Sequence, residues 1–588
     1  MTPFEIERLP FSKEAVGVWA LGDPRHRNWP VVYVLGDGRE KVASPSKLSD
    51  VYVGESLNAT GRMRQHFESH EKAHLRTIRV VIDEKFNKSV CLDLESYLIR
   101  LLDGDGAYRV LNRNDGITDA DYFDRAEYQK TFRQVFDELR EDGVFTRTIP
   151  EIENSDLFKL SPFKALTSDQ AVAVEGIVEG LLADLESGAE STIVVQGDPG
   201  TGKSVVAIYL LKLLSDIAAS KSLEDLDRDT MFSEFFAEGY SELLADLRVG
   251  LVVPQQSLRN SIKKVFKKTP GLSQSMVMTP FDVAEAAVQF DLLIIDEAHR
   301  LNQRANQPSG NQNLKFRQIS EALFGFDDKS KTQLDWMREK SRHQIYLVDA
   351  AQSVRPADLP AELLAELVSQ ARSENRFHRL ATQMRVQAGS DYVGYIRRVI
   401  GATPAPGPVT QQDFEGYDLR LFDSLSALQE AVRARDSEVG LSRLVAGYAW
   451  EWKTKNDKTA FDIVEDGLSL RWNGTQTDWI ASPGALEEVG SIHTVQGYDL
   501  NYAGVIIGAD LRFDTAEQRL LIDRASYFDV KGKENNKALG KVYSDEDVLR
   551  FISNIYAVLL TRGIRGTYVY AVDPALREYL REFIPTAS

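Results

Sequence analysis

A glycine-rich run at 197–204 has the residue types and the spacing of a phosphate-binding loop. Its sequence, GDPGTGKS, matches the pattern GxxxxGK[ST], in which backbone N–H groups curl around a phosphate. Lys203 would reach the β- and γ-phosphates, and the hydroxyl of Ser204 would bind Mg²⁺. The candidate nucleotide-binding positions are Gly197, Gly200, Thr201, Gly202, Lys203 and Ser204.

Two acids follow an apolar run at 292–295. Asp296 ends that run, where a carboxylate would hold Mg²⁺ together with Ser204, and Glu297 comes next. A carboxylate in the position of Glu297 orients or deprotonates an attacking water. The two acids predict nucleotide hydrolysis with ATP and Mg²⁺ (or Mn²⁺) as cofactors. The alternative is a phosphate-loop switch that hydrolyses its nucleotide slowly.

The elements that must position these residues alternate between apolar strands and helical patterns. Four apolar runs, TIVVQG, GLVVP, LLIID and IYLVD, end in Gly197, Pro254, Asp296 and Asp349. This alternation predicts parallel strands, whose carboxyl ends share one edge of a sheet and bind ligands there. A second block of strand and helix patterns begins at about residue 376 and includes GVIIGAD and TYVYAVD.

The composition is that of a multidomain globular protein. The chain has 588 residues, of which 43% are hydrophobic and 27% charged, and this balance excludes global disorder. No apolar run approaches the ~18 residues that a membrane helix needs, and the acidic N-terminus lacks the pattern of a secretory signal. The single cysteine, Cys91, excludes an internal disulfide and a zinc site of the CxxC type. We therefore expect a cytoplasmic protein that makes no membrane contact.

The net charge of −18 argues against a protein that coats nucleic acid indiscriminately. The charge is unevenly distributed, however, and the stretch Gln255–Lys268 contains no acid. Its basic residues are Arg259, Lys263, Lys264, Lys267 and Lys268. This basic run predicts contact with the phosphates of a nucleic acid, and a solvated helix face is the alternative.

Several segments together resemble the motifs of a superfamily one helicase core. In chain order they are LTSDQ, VVPQQSLRNSIKKV, VDAAQ, QMR, SIHTVQGYDL and LTRG. The chain is similar to bacterial helicase-like domains related to the Schlafen helicase domain, over about residues 160–588. This resemblance implies two RecA-like domains that act as an ATP-dependent motor on nucleic acid.

The same resemblance implies roles for individual positions. Gln170 would bond the adenine edge, and Asp349 and Gln352 would sense the γ-phosphate. Arg385 and Arg562 would be arginine fingers, which stabilise charge on the γ-phosphate when the cleft is shut. The residues that would couple nucleotide state to the grip on a strand are His493, Gln496, Gly497 and Asp499.

The first 150 residues carry a second candidate site. Val31-Val32-Tyr33 and Tyr52-Val53-Gly54 resemble the paired strands of the GIY-YIG nuclease fold. Residues downstream match that family's spacing, namely Arg62, His66, Glu95 and Asn112. The resemblance implies a metal-dependent endonuclease in which Glu95 binds Mg²⁺ or Mn²⁺ and Arg62 stabilises the transition state, while Tyr33 or Tyr52 helps to activate water. The alternatives are a degenerate domain kept for binding and, for His66, a structural role.

These patterns predict an α/β multidomain protein, with a small α/β GIY-YIG-like nuclease domain followed by two RecA-like parallel α/β domains. The predicted nuclease domain is 1–150, and a connector follows at 151–162. The predicted first RecA-like domain, which binds ATP, is 163–375, and the second is 376–588.

The predicted function is that of an ATP-dependent nucleic-acid translocase or helicase with an N-terminal endonuclease, acting in antiphage defence. DNA is favoured over RNA as the substrate, and oligomers or protein partners are compatible with this function. Two alternatives stay open, a nucleotide-gated switch with protein partners and a DNA repair nuclease-helicase. Stimulation of ATP hydrolysis by single-stranded nucleic acid separates the motor from the switch.

Overall fold

The computed structural model describes residues 4–38, 48–69, 71–112, 121–220, 232–236, 239–304, 307, 309–349, 354–388, 391–401, 409–474, 479–482, 484–495 and 498–587. The chain forms two compact units. The first contains Met1–Val178, Val205–Asp246 and Ser261–Ser275. The second contains Glu179–Ser204, Leu247–Asn260 and Met276–Ser588.

The N-terminal part of the chain folds into a mixed sheet with helices. Its elements are β1 (Phe4–Pro10), α1 (Lys13–Gly22), β2 (Val31–Gly36), β3 (Ser49–Ser56), α2 (Ala59–Glu68), β4 (Thr77–Asp83), α3 (Lys88–Asp105), β5 (Tyr108–Val110), α4 (Arg125–Glu141), α5 (Ile149–Glu153) and α6 (Asp156–Lys159). Among the described residues the strand order is β1-β4-β2-β3-β5, and every pair is antiparallel except β3 with β5. The predicted pairing of the strands that carry the two tyrosines is confirmed, with Leu35 opposite Tyr52.

The mixed sheet buries a core on each of its faces. Val32 of β2 packs in one core with Leu94 of α3. Tyr33, the next residue of β2, packs in the opposite core with Met63 of α2. Successive side chains of a strand point to opposite faces, and this alternation brings Tyr33 to the side of the sheet that α2 covers.

The middle of the chain forms a parallel sheet. Its elements are α7 (Ser168–Ser187), β6 (Ser191–Gly197), α8 (Lys203–Ala219), α9 (Tyr240–Leu244), β7 (Val249–Val252), α10 (Gln256–Lys268), β8 (Val277–Met278), α11 (Pro280–Glu285), β9 (Phe290–Ile295), α12 (Gly310–Phe324), α13 (Gln333–Lys340), β10 (Ser341–Val348), α14 (Ala361–Ser373) and β11 (Phe377–Leu380). In the described ranges the strand order is β11-β6-β10-β9-β7-β8, with every pair parallel. The predicted edge is confirmed, because β6, β9 and β10 are neighbours and end together just before or within the candidate nucleotide site.

The first parallel sheet extends past residue 375, where the sequence predicts the end of the first RecA-like domain. Strand β11 pairs with β6, with Phe377 opposite Val194 and Leu380 opposite Gly197. This edge strand is only partly buried and contains His378 and Arg379, so it lacks the apolar run that marks the central strands.

The C-terminal part of the chain forms a second, mostly parallel sheet. Its elements are α15 (Tyr392–Ile400), β12 (Asp418–Leu421), α16 (Leu425–Val439), β13 (Ser442–Ala446), β14 (Ile463–Glu465), β15 (Leu468–Trp472), β16 (Glu488–Ser491), α17 (Ile492–Val495), β17 (Leu500–Ile507), β18 (Leu511–Asp514), β19 (Arg519–Ile522), α18 (Asp545–Leu560), β20 (Gly563–Ala571) and α19 (Pro574–Arg581). Over the described residues the order is β12-β20-β17-β13-β16-β15-β14, and only β14 with β15 is antiparallel. Strands β18 and β19 form a separate hairpin.

Strand β17 is buried along its whole length at the centre of the second sheet. Val505 packs into the core on one face, and Ile506 packs into the core on the other. A strand covered on both faces reads as a continuous apolar run, and this is how GVIIGAD stands out in the sequence. Among the helices of the described residues, none combines the length and the apolarity needed to cross a bilayer.

Candidate active site

The glycine-rich loop connects β6 to α8. Lys203 donates from Nζ to the backbone oxygens of Gly197 at 2.8 Å and Asp198 at 3.0 Å. Gly200 and Gly202 have φ angles of 87° and 79°, in the left-handed region that favours glycine. The two glycines therefore allow the backbone conformation of the loop. The loop also holds the ammonium group of Lys203 at the N-terminus of α8, where the helix dipole favours a phosphate.

Ser204, at the end of this loop, contacts the acid that follows β9. Its hydroxyl donates to Oδ2 of Asp296 at 2.6 Å. Asp296 is fully buried, and burial together with the neighbouring Glu297 raises the pKa of its carboxyl. A hydroxyl and a carboxylate oxygen beside a phosphate loop fit Mg²⁺, which keeps several waters and binds nucleotide phosphates directly.

Glu297 lies in a buried network with two neighbours on its own segment. Its Oε2 is 3.2 Å from Nε2 of His299 and 3.7 Å from Nε of Arg300. The backbone N–H of Asp349 donates to Nδ1 of His299 at 3.3 Å, so the ring's own hydrogen is on Nε2, facing Glu297. Burial alone would raise the pKa of Glu297, but His299, Lys203 and Arg300 outweigh burial and lower it. The carboxylate is therefore ionised and able to accept a hydrogen bond from water.

The network connects the ends of two strands. His299 is completely buried between Glu297, which follows β9, and Asp349, which follows β10. Glu297 adopts a φ of 50°, a left-handed conformation that costs free energy in a residue other than glycine. The sequence contains His299 directly after the predicted acids, but only the fold reveals that its ring reaches the end of the neighbouring strand.

The two predicted arginine fingers lie beside the loop and each other. Gln383 donates from Nε2 to the oxygen of Pro199 at 2.7 Å, and the N–H of Met384 donates to the oxygen of Gly200 at 2.9 Å. Arg385 follows directly, and its guanidinium forms an ion pair with Asp499. The segment that carries Arg385 is thus bonded to the phosphate loop by its backbone and side chains.

Arg562, the other predicted finger, is buried. Its Nη1 donates to the backbone oxygen of Tyr498 at 3.3 Å. Burial, with Arg385 nearby, lowers the pKa of Arg562 to about 9. The negative charges of Asp499 and Glu297 act in the opposite direction and raise the pKa of Arg562. Arg562 is therefore close enough to Arg385, Asp499 and Glu297 to interact with their charges. Asp499, predicted to couple nucleotide and strand, is in the structure a partner of Arg385.

A third arginine, Arg397 on α15, reaches the loop without belonging to any predicted motif. Its Nη1 donates to Oδ1 of Asp198 at 2.6 Å, and its Nη2 is 3.5 Å from Oδ1 of Asp349. It therefore joins α15 to both the phosphate loop and the end of β10. An arginine on an amphipathic helix carries no local signal of such a role, and sequence reasoning missed it.

The remaining predicted nucleotide residues are only partly described. Gln170 is buried at the start of α7, where its Oε1 accepts from the N–H of Thr167 at 3.1 Å. Gln352, Gln496 and Gly497 lie outside the described residues, as does the side chain of His493.

A cavity of about 470 Å³ lies within the second unit. Its walls combine arginines, aromatic rings and side-chain amides. The arginines and rings are Arg259, Arg300, Arg355, Phe281, Tyr448 and Trp452. Arginines bond phosphates, rings stack on bases, and amides bond base edges, so this lining suits a single-stranded nucleic acid.

Of these cavity residues, sequence reasoning identified only Arg259. Its Nη1 donates to the backbone oxygens of Val253 at 2.8 Å and Pro254 at 3.2 Å. Arg300, Arg355 and Trp452 come from separate segments, and each is an ordinary residue in its local sequence. Their convergence is a property of the fold.

The lysines of the predicted basic run differ in their surroundings. Lys264 and Lys267 on α10 are exposed, and Lys263 is half-buried. Lys268 instead donates from Nζ to the backbone oxygen of Gly106 at 2.6 Å, and burial lowers its pKa. The structure therefore gives Lys268 a partner within the protein, which differs from its predicted role at a strand phosphate.

The N-terminal candidate residues form a cluster around Tyr33. The hydroxyl of Tyr33 is 2.8 Å from Nε2 of His66, and the ring of Tyr52 packs edge-on against the imidazole with centroids 5.0 Å apart. Lys72 lies 3.6 Å above the Tyr52 ring, and its Nζ is 3.5 Å from Nδ1 of His66. A side chain at Gly54 would overlap the Tyr33 hydroxyl, so glycine is required opposite it.

The protonation of this cluster follows from its burial. Burial, Lys72 and Arg62 lower the pKa of His66 to about 2, so the imidazole is neutral. An ammonium can only donate, so Nδ1 of His66 accepts from Lys72 and Nε2 carries the hydrogen toward Tyr33. Burial and Tyr52 raise the pKa of Tyr33 well above its usual value, which keeps the hydroxyl protonated.

The predicted charged residues of this cluster are near Tyr33, whereas Asn112 has another role. The charges of Arg62 and Glu95 both act on the Tyr33 hydroxyl. Asn112 donates from Nδ2 to the oxygen of Val53 at 2.7 Å and accepts from its N–H at 3.0 Å. Asn112 is thus bonded to the backbone of β3 and positions that strand.

Comparisons with known proteins find similarity over most of the second unit. Residues 190–573 match the family described as Schlafen group 3, DNA/RNA helicase domain. The chain is also 27% identical over 409 residues to an uncharacterized protein of Saccharomyces cerevisiae, in an alignment that covers 66% of this chain and 83% of the relative. The family match includes the phosphate loop and every residue that lines the cavity, while the Tyr33 cluster precedes it.

Proposed function

This chain belongs to the Schlafen group 3 family of DNA/RNA helicase domains, and from that premise we propose that it hydrolyses ATP in response to single-stranded nucleic acid. One observation carries the proposal. The segment 296–302 supplies the acids of the nucleotide site at one end and two residues of the cavity wall, Arg300 and Asn302, at the other. A site for hydrolysis and a site for a strand thus share one short stretch of backbone.

The nucleotide phosphates would be held by the loop and its cation. Lys203 now bonds the loop's own carbonyls, and its Nζ would turn to phosphate oxygens when ATP enters. Ser204 and Asp296 would hold the Mg²⁺ that accompanies the nucleotide. When bound, that ion would neutralise charge on the phosphate oxygens.

Glu297 would orient the attacking water and accept its proton. The carboxylate is ionised, and its Oε2 lies 3.2 Å from Nε2 of His299. Arg385 is close enough to Arg562 for their charges to interact, and the charge of Glu297 also acts on Arg562. Both arginines would stabilise the developing charge on the γ-phosphate. Arg385 must first leave Asp499, so its arrival at the phosphate would depend on nucleotide binding.

The strand would bind in the 470 Å³ cavity. Arg355 would bond a phosphate and Trp452 would stack on a base. Arg355 lies in the segment after β10, and Trp452 lies in the segment after β13. Base stacking on an aromatic ring contributes about 1–3 kcal/mol. Trp452→Ala should therefore weaken strand binding by roughly 5- to 150-fold and leave the affinity for ATP unchanged.

The proposal is tested by measuring ATP hydrolysis with and without single-stranded DNA or RNA of one sequence. We expect stimulation by at least one of the two strands, and Lys203→Ala should abolish the activity. The matched control is Lys315→Ala, which removes an exposed lysine paired with Glu285. A rate of ATP hydrolysis that neither single-stranded DNA nor RNA changes would favour the alternative, a nucleotide-gated switch with protein partners.

A second activity, phosphodiester hydrolysis, is favoured by the Tyr33 cluster. Tyr33, His66, Arg62 and Glu95 bring a hydroxyl, a neutral imidazole, a guanidinium and a carboxylate together. Glu95 would hold Mg²⁺ or Mn²⁺, since a hard cation often uses one carboxylate with waters and substrate oxygens as its other ligands. The ion would supply positive charge to a phosphate oxygen.

Cleavage of plasmid DNA and of single strands in the presence of Mg²⁺ or Mn²⁺ tests the second activity. Arg62→Ala and Glu95→Ala should each abolish cleavage. Arg64→Ala is the matched control, because Arg64 is an exposed residue of the same helix α2. Wild-type protein that cuts none of these substrates would support the alternative, a degenerate domain kept for binding.

A further inference from the structure

Arg300 is a buried arginine with unmet donors on the wall of the cavity. It ends the short helix Ala298–Arg300, and only 5% of its surface is exposed. Among the described residues, neither its Nε nor its Nη2 has a hydrogen-bond partner. Buried guanidinium groups almost always have their donors satisfied. Arg300 therefore differs from an arginine that is built only to support the fold.

The carboxylates around Arg300 do not form hydrogen bonds with its Nε and Nη2. Its Nε is 3.7 Å from Oε2 of Glu297, which is an ionic contact too long for a hydrogen bond. Asp358 and Asp349 are the other acids whose charges act on Arg300. Oδ2 of Asp358 accepts from the N–H groups of Val354 at 3.0 Å and Arg355 at 3.1 Å. Its Oδ1 has no hydrogen-bond partner among the described residues and lies 3.9 Å from Nη2 of Arg355.

A second arginine acts on Arg300 from the same cavity wall. Arg355 also lines the cavity, and among the described residues its Nε lacks a hydrogen-bond partner as well. Two guanidinium groups with unmet donors on one wall form a site for an anion with several oxygens, such as a phosphate of a strand backbone.

We propose that Arg300 is a positioning residue that transmits strand occupancy of the cavity to Glu297. This inference rests on the proposed function. Without a strand, the guanidinium lies against Glu297 and competes with water for Oε2. A strand phosphate offers the hydrogen bonds that Arg300 lacks, draws the guanidinium toward the cavity and leaves Oε2 to water. Nε2 of His299 stays beside Oε2 of the carboxylate in both states.

This relay predicts a pattern that a merely structural role does not produce. Arg300→Met removes the restraint on Glu297, so ATP hydrolysis without a strand should rise, by roughly three- to tenfold in kcat, with KM for ATP unchanged. The same variant should lose the response to a strand, with a stimulation ratio within about twofold of one. A structural role would instead lower the activity without a strand together with the stability.

The experiment measures kcat and KM for ATP of the full chain, with and without saturating single-stranded DNA or RNA of about 20 nucleotides. The variants are Arg300→Met and Arg300→Lys, and Lys should restore part of the stimulation because it keeps the charge without the fork of donors. Arg317→Met is the matched control, since Arg317 also contacts a glutamate, Glu321, at 3.6 Å, and both lie on the exposed face of α12.

The outcomes separate the relay from the function on which it rests. A wild-type chain that no strand stimulates would contradict the proposed function, and the relay with it. A stimulated wild type together with an equally stimulated Arg300→Met would overturn the relay alone. If Arg300→Met is unstable by thermal denaturation, Arg300→Lys decides: a wild-type stimulation ratio and wild-type activity without a strand overturn the relay.

Discussion

Arg397 donates from Nη1 to Oδ1 of Asp198 at 2.6 Å and thereby ties helix α15 to the phosphate loop. The same guanidinium is 3.5 Å from Oδ1 of Asp349 at the end of β10. One side chain from the C-terminal part of the chain thus contacts both the loop that would hold ATP and the residue predicted to sense its γ-phosphate. This contact connects helix α15 with both the phosphate loop and the end of β10.

Arg397→Met should slow ATP hydrolysis. Asp198 is half-exposed, so the pair is worth ~1 kcal/mol, and the loss should lower kcat/KM roughly fivefold. Steady-state ATPase assays measure this change. Arg398→Met is the control, because the neighbouring Arg398 pairs with Asp391 at the surface. Equal effects of the two substitutions would show that the contact with Asp198 has no special role.

Glu297→Gln should bind ATP but not turn it over. The amide keeps the shape of the side chain, but it cannot take a proton from water, so kcat should fall by about 10²- to 10⁴-fold. A fluorescent ATP analogue measures binding, and phosphate release measures turnover. Glu285→Gln, at the exposed end of α11, is the control. Wild-type turnover by Glu297→Gln would assign the base to another residue.

Lys264→Ser with Lys267→Ser should reduce the salt dependence of strand binding. These lysines are exposed on α10, and each phosphate contact releases a counterion. Losing two contacts should flatten the slope of log affinity against log salt by about 1.4 for a single strand. Lys130→Ser, on the exposed face of α4, is the control. An unchanged slope would leave a solvated helix face as the explanation of the basic run.

Asp510→Asn should stabilise the folded chain at neutral and higher pH. Asp510 is buried and accepts from the hydroxyl of Tyr556 at 2.6 Å, and burial raises its pKa to about 7. An acid whose pKa is higher in the folded state than in the unfolded state makes the fold lose stability as pH rises from about 4 to about 7. Above that range the loss stays constant, at on the order of a few kcal/mol.

Asparagine can accept the same hydrogen bond and does not ionise. The melting temperature of Asp510→Asn should therefore exceed that of the wild type by an amount that increases as pH rises from about 4 to about 7. Asp523→Asn is the control, since Asp523 is partly exposed and its pKa is lowered by Ser526. Parallel melting curves of Asp510→Asn and wild type across this range would contradict the prediction.

The nucleotide site could be predicted from sequence because each of its parts is local. The loop at 197–204 and the acids after β9 need only their own segments and the rule that parallel strands end at one edge. Arg300, Arg355 and Arg397 could not be predicted in this way. Their roles depend on distances between segments that are far apart in the sequence. Arginines are also common on helices and turns, so their local sequence does not mark them as special.

The α/β class of the fold could be predicted from the sequence. Parallel strands and the pairing of β2 with β3 are confirmed. Strand β11 was missed because His378 and Arg379 interrupt its apolar pattern. The nuclease activity, the role in antiphage defence and the preference for DNA stay predictions.

Strand β11 lies beside β6, and shortly after Leu380 the chain bonds to Pro199 and Gly200 of the loop. The covalent passage from one sheet to the next therefore begins at the nucleotide site. If ATP binding rotates one sheet against the other, this passage would act as the pivot. Gln383, which bonds to the loop, would then move less than residues of the C-terminal sheet that lie further from the pivot.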